Sequence, residues 1–185
     1  TGTLEFSGTA LQQYNPGGAL TLNNVTMNNT GAGLNLNAAM DLGTGGNLTL
    51  LQGPIITGAL RVTVNNTAPG AVSTGNASSY VQGNLRRLLN GAATGSFDFP
   101  VGNATSGYQR ANINFTAATT IPFMDASFNQ YGAVPGPLGG FECNFPYDFP
   151  ALDQGFWTLT AGANPTSGTY DATLYPTNYG NPACC

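Results

Sequence analysis

Leu20-Thr21-Leu22, Val25-Thr26-Met27, Leu34-Asn35-Leu36, Met40-Asp41-Leu42, Leu48-Thr49-Leu50 and Leu60-Arg61-Val62-Thr63-Val64 decide the reading of this chain. Each stretch alternates apolar and polar residues, so a strand sends its apolar side chains to one face and the polar one to the other. The segments between them are short and rich in Gly, Asn and Thr, which favours turns and leaves no room for helices. The pattern therefore predicts an all-β chain in which short strands stack into a ladder with an apolar interior. Leu20, Met40 and Leu60 are expected to stack on one another, and Leu34 on Ile55. These offsets of about 20 residues suit one turn of a three-sided parallel β-helix. A meander of hairpins has the same alternation, because a strand period does not reveal strand direction.

Upstream, residues 1–17 hold Leu4-Glu5-Phe6 and Leu11-Gln12-Gln13-Tyr14, read as an opening coil or cap. Asn23-Asn24, Asn28-Asn29 and Asn65-Asn66 fall at strand ends, where Asn tolerates left-handed backbone and its amide can bond to the next turn of a stack. Residues 68–79 are Pro, Gly, Ser, Thr and Asn in the main and are expected to form a linker loop. Beyond it, Tyr80–Arg87, Gly95–Gly102, Tyr108–Phe115, Phe156–Thr160 and Gly168–Tyr175 alternate as longer strands. The expected organisation is a β-helix-like module over 1–67 and an antiparallel, sandwich-like module over 80–185.

Of the 185 residues, 41% are hydrophobic and only 6% charged, about a quarter of the usual charged share. Disorder needs low hydrophobicity, so this composition describes an ordered protein with an uncharged polar surface. There is no Lys and no His. Four Arg stand against eight carboxylates, giving a net charge of −4. Nucleic acid needs clustered cations along a groove and an anionic membrane needs a polybasic patch, so neither is an expected partner. No apolar run approaches the roughly 18 residues of a spanning helix.

The same inventory weighs against catalysis. A Ser/His/Asp arrangement is impossible without His, and a phosphate-binding loop ending in Lys is impossible without Lys. Glycoside hydrolysis needs two carboxylates about 5–10 Å apart, whereas the ladder holds only Glu5 and Asp41, far apart in sequence, with Arg61 its sole cation. The chain is thus expected not to be an enzyme and to need no cofactor. A calcium ion would draw on Asp148, Asp153, Asp171 and Asn144 as oxygen ligands, but no D-x-[DN]-x-[DN]-G loop is present.

Three groups remain as candidate sites. Cys143, Cys184 and Cys185 lack the spacing and the His partners of a zinc site; a disulfide from Cys143 to Cys184 or Cys185 is expected, which fits an oxidising, extracellular compartment. Phe145, Tyr147 and Trp157, within a wider cluster with Phe141, Phe149 and Phe156, form either an aromatic cap on the β core or a sugar-stacking platform. Leu4 and Phe6 mark a strand that a neighbouring copy would accept at an open sheet edge. Of the adjacent Arg86 and Arg87, one is expected to pair with Asp98 and the other to be solvated. Sequons at Asn24, Asn28, Asn47, Asn65, Asn76, Asn103 and Asn114 arise readily by chance in so Asn/Thr-rich a chain.

The run Ser79-Tyr80-Val81-Gln82-Gly83-Asn84-Leu85-Arg86-Arg87, then Phe99-Pro100-Val101-Gly102 and Tyr108-Gln109-Arg110, resembles a block of large secreted surface proteins of Bacteroidota. That block reads roughly S-Y-V-x-G-x-L-x-R, F-P-[VI]-G, Y-R-P, and the Asn/Thr-rich ladder before it is similar to their β-helical, adhesin-like stretches. The resemblance spans about Gly2 to Tyr175 and implies an exported cell-surface or matrix protein, type IX secretion cargo, with an adhesive or fibrous role. It implies no catalytic residues. Members of that group often carry lysine, which this chain lacks. On these grounds the expected function is a non-catalytic extracellular structural protein: a surface adhesin or stalk segment, or a self-assembling filament subunit. Its expected partners are further copies of itself or a cell-surface or glycan target. The alternative is a carbohydrate-binding module built on the aromatics.

Overall fold

A computed structural model of the chain describes residues 2–130 and 155–177. The first coil consists of β1 (Thr3–Gly8), β2 (Gln12–Tyr14) and β3 (Thr21–Leu22). The second repeats it with β4 (Asn24–Asn29), β5 (Leu34–Leu36) and β6 (Met40–Leu42). The third holds β7 (Leu48–Gln52) and β8 (Ile55–Val64), the latter supplying two sides at once. Stacking is parallel on all three sides: β1-β4-β7, β2-β5-β8 and β3-β6-β8. The expected parallel ladder is what forms, and the meander is not.

The alternating triplets form this ladder because each coil superimposes apolar side chains on those of the next. In register, Leu4, Val25 and Leu48 make one interior column, and Phe6, Met27 and Leu50 another. Leu22, Leu42 and Val64 make a third. Most members below the first coil are completely buried, and each such side chain contributes about 1.5–3 kcal/mol by leaving water. Leu34 does stack on Ile55. Met40, however, lies against Val62 and not Leu60, because β8 turns the corner between two sides through an irregularity over residues 57–60. Gly58 takes a positive φ of 56° there, a backbone state that glycine adopts without a Cβ clash.

The ladder does not stop at residue 67. A 3₁₀ turn, Pro69–Ala71, and a single bridge from Leu48 to Val72 carry the chain round to β9 (Val81–Leu88). β9 stacks parallel on both limbs of β8. The loop at 68–79 is therefore present, yet sheet pairing runs across it. Antiparallel pairing begins later, where β10 (Ala93–Asn103) meets β11 (Gly107–Thr119). β12 (Phe123–Asn129) runs antiparallel to β9 and pairs with β13 (Phe156–Ala161), while β14 (Tyr170–Tyr175) closes on β11. One cluster of buried apolar residues extends from Phe6 to Phe128. No α-helix occurs among the described residues, so none there is long and apolar enough to cross a membrane.

Candidate interaction surface

The outer faces of the solenoid carry amides and hydroxyls in rows that follow the coil stacking. Strands in a sheet lie about 4.8 Å apart, so side chains at matching positions of successive coils come within bonding reach. Asn24 Oδ1 accepts from the Asn47 backbone N–H at 3.1 Å and from its Nδ2 at 3.3 Å, and Asn66 Nδ2 donates to Asn47 Oδ1 at 3.2 Å. This corner is an asparagine ladder of one residue per coil. On the second side, Gln13 Oε1 accepts from Asn35 Nδ2 at 2.9 Å and from Asn37 Nδ2 at 3.0 Å. On the first, Asn28 Nδ2 donates to Glu5 Oε1 at 3.0 Å, and Thr26 lies in register between Glu5 and Thr49. The expectation that asparagines at strand ends bond to neighbouring turns is met bond by bond. The sequon residues Asn47 and Asn76 are exposed, and the other five sequon asparagines are half-buried.

Charged side chains are gathered against one another. Arg86 donates to both carboxylate oxygens of Asp125, Nε to Oδ1 and Nη2 to Oδ2, each at 2.6 Å. Its guanidinium also sits 3.6 Å from the centre of the Phe123 ring. The bonds to Asp125 hold the Arg86 pKa above its usual value, against a smaller opposing effect of burial. Arg61 approaches the same carboxylate at 3.8 Å. Asp98 accepts from Asn112 Nδ2 at 2.9 Å and lies 3.7 Å from Arg110, which stacks on Tyr175.

The expectation for Arg86 and Arg87 is corrected here. Arg86 is paired, not solvated, and its partner is Asp125. Arg87 does contact Asp98, but through the backbone carbonyl and not the carboxylate. It is fully buried, facing inward at the end of the Leu22, Leu42 and Val64 column. Asp125 stands on β12, which was not among the expected strands. The alternation of Met124, Ala126 and Phe128 was the signal available.

Of the candidate site residues, Phe6 packs inward edge-to-face on Tyr14, while Leu4 is partly exposed at the end of its column. β1 lies on β4 of its own chain, with its other edge unpaired among the described residues. Trp157 stands edge-on to Phe128, ring centres 4.9 Å apart, and its Nε1 donates to the Gln109 carbonyl at 3.3 Å. The structure brings it together with the core. Phe145, Tyr147, Cys143, Cys184 and Cys185 lie outside the described residues, as do Asp148, Asp153 and Asn144. Asp171 sits on β14 opposite Asn114. Among the described residues no three carboxylates or cysteines converge.

Burial raises the phenol pKa of Tyr14, Tyr80 and Tyr108 above the usual 10.0, with the Asp41 charge adding to the effect at Tyr14. A raised phenol pKa stabilises the fold below pH 10 and loses that contribution as pH climbs through the folded-state value. An absorbance titration of the phenolate is therefore expected to show at least three tyrosines ionising late. The native protein should also lose stability above pH 10. Eight tyrosines titrating together near 10 would contradict the burial of these three.

No protein-family model, curated protein or solved structure matches this chain.

Proposed function

We propose that this chain is a non-catalytic structural protein of the cell exterior, working as a rigid stalk or adhesin segment of the kind seen in secreted Bacteroidota surface proteins. The observation that carries this reading is the parallel solenoid whose outward rows are amides and hydroxyls bonded from coil to coil. Such rows stiffen the rod along its axis and give it a wet, nearly uncharged flank. A surface of this kind suits many weak contacts along a length better than one concave pocket. The carboxylates Asp98 and Asp125 are each engaged by an arginine, which fits a structural role. Trp157 is engaged by Phe128 and Gln109, so the carbohydrate-module alternative gains nothing from its placement.

The test is immunogold microscopy of intact producing cells, together with retention of chain-coated beads on glycan-coated and abiotic surfaces. Label on the outer surface or on extended appendages is expected, with retention above that of albumin-coated beads. Label confined to the cell interior without retention would overturn the reading, as would release of soluble sugar from a polysaccharide panel. Retention abolished by Trp157→Ala in a folded protein would move the function to the carbohydrate-binding alternative.

A further inference from the structure

We infer that the outward face of the strands β3-β6-β8-β9-β12-β13 is the contact surface of the rod and takes an extended, uncharged polysaccharide. The inference rests on the structural reading above and names the partner of that rod. By register, Thr21, Asp41, Thr63, Arg86, Asp125 and Thr160 form one continuous row across these six strands. The next residue on each strand, from Leu22 to Ala161, makes the matching row that faces the core, so the first row faces outward. With strands about 4.8 Å apart the row is about 24 Å long. It passes from the parallel coils into the antiparallel strands without a shift of register. A coil added beside β3 would lengthen the row and not cover it.

Hydrogen-bonding capacity separates this side from the other two. There the amides bond to one another, Asn24 with Asn47 and Gln13 with Asn35 and Asn37. Here Arg86 and Asp125 hold each other and fix the middle of the row, while groups on either hand keep unused capacity. The Asp41 carboxylate is half-buried and makes no side-chain hydrogen bond among the described residues. Arg61, outward on β8 two residues before Thr63, comes within 3.8 Å of Asp125, yet its Nε is buried without a partner among those residues and its side chain is 41% exposed. Thr21 and Thr160 present exposed hydroxyls at the two ends. Polar groups with unfilled bonding capacity, held on a rigid sheet, are what orient a polar ligand.

The charges of this face select the ligand. Asp41 and Asp125 cancel Arg61 and Arg86, so a polyanion would meet two carboxylates and a polycation two guanidinium groups. No large apolar side chain stands in the row, which therefore lacks the aromatic centre of a protein interface. A polymer of uncharged hydroxyls meets neither objection. The Asp41 carboxylate accepts from its O–H groups, and the Arg61 guanidinium donates to its oxygens. Each pyranose lengthens an extended glycan by about the distance between neighbouring strands. A chain laid along the row thus sets one sugar over each strand, and contacts that are weak singly gain from being linked.

The experiment is affinity electrophoresis of the full chain through native gels holding mixed-linkage β-glucan, galactomannan or polygalacturonate, each read against the same gel without polymer. Retardation by one or both neutral polymers, and not by polygalacturonate, is expected. Asp41→Asn and Arg61→Gln should each weaken binding by about tenfold or more, while circular dichroism and the urea midpoint hold. Glu5→Gln, on the first side of the rod, should bind as the native chain does. If either of the first two fails to fold, amide chemical shifts of the native chain serve instead: the neutral polymers should move those of Asp41, Arg61 and Asp125 and leave those of Glu5 and Asn28. No retardation by either neutral polymer, binding indifferent to both substitutions, or a preference for polygalacturonate would overturn the inference. None of these touches surface location or retention on abiotic surfaces, so the structural reading fails or stands separately.

Discussion

Arg87→Ala is expected to lower the unfolding free energy by about 3–5 kcal/mol, seen as a fall of about 8–15 °C in Tm. The guanidinium is fully buried. Nη1 donates to the Asp98 carbonyl at 3.0 Å, and Nη2 to the carbonyls of Ala68 and Pro69, each at 2.8 Å. The rings of Phe97 and Phe99 lie 4.8 and 5.9 Å from its centre. One side chain therefore ties the 3₁₀ turn to β10 at the place where parallel stacking gives way to antiparallel pairing. Removing it leaves three acceptors short of a donor and opens a cavity between two aromatic rings.

Arg87→Met separates these two losses. It keeps most of the volume and strands the same carbonyls, so about 2–3 kcal/mol of the loss should remain. A buried ion pair replaced by apolar residues is often neutral, but here the partners are backbone carbonyls that the substitution does not remove. Urea denaturation of both variants checks this, and a neutral Arg87→Met would show that the carbonyls find other donors. Burial pulls the Arg87 pKa down to about 10, with the Asp98 charge opposing. Above that value the unfolded chain holds the proton that the folded chain gives up, so the Arg87 contribution to stability rises with pH. The buried tyrosines act in the opposite sense, and Arg87→Met should therefore steepen the alkaline fall.

How much of this was legible follows from where each partner sits in the chain. The interior columns were readable because a triplet such as Val25-Thr26-Met27 declares its own inward face, and Leu34 over Ile55 needed only the coil length. Met40 over Val62 was not readable, since the added length is absorbed at Gly58, which looks in sequence like any turn glycine. Arg86 and Asp125 lie 39 residues apart, on strands whose antiparallel pairing is set by packing. No local pattern announces that pairing, and the nearer Asp98 was the natural wrong choice. Arg87 reads as a polar position of an alternating strand. Its inward direction became visible only once the column of Leu22, Leu42 and Val64 was in place. The strand around Leu4 and Phe6 was legible as a strand, and its place on β4 of the same chain follows from the coil stacking.

Asn29→Leu is the second large effect expected, a loss of about 3–5 kcal/mol, and it distinguishes two asparagines that sit side by side in sequence. Asn28 points outward to Glu5, whereas Asn29 is completely buried at the corner between the first and second sides. Its Nδ2 donates to the Ala10 carbonyl at 2.7 Å and to Gln12 Oε1 at 3.1 Å. Its Oδ1 accepts from the backbone N–H of Gly31 at 2.8 Å and of Gly33 at 3.4 Å. Four groups from two coils thus depend on one amide, and leucine of similar size breaks all four bonds and leaves the buried Gly33 N–H without its acceptor. The corner has no slack for repair: Gly53, at φ 79°, passes so close that a Cβ there would overlap the Asn29 carbonyl. Asn47→Ala removes an amide with two bonded neighbours, Asn24 and Asn66, on an exposed corner where those partners turn to water, so about 0–1 kcal/mol is expected. Urea midpoints of the two variants, read beside amide exchange at Gly31 and Gly33, decide the matter. Equal losses would mean that the amide rows, buried or not, carry the rod. A large loss at Asn29 alone places the strength in the buried corner that binds the first coil to the second.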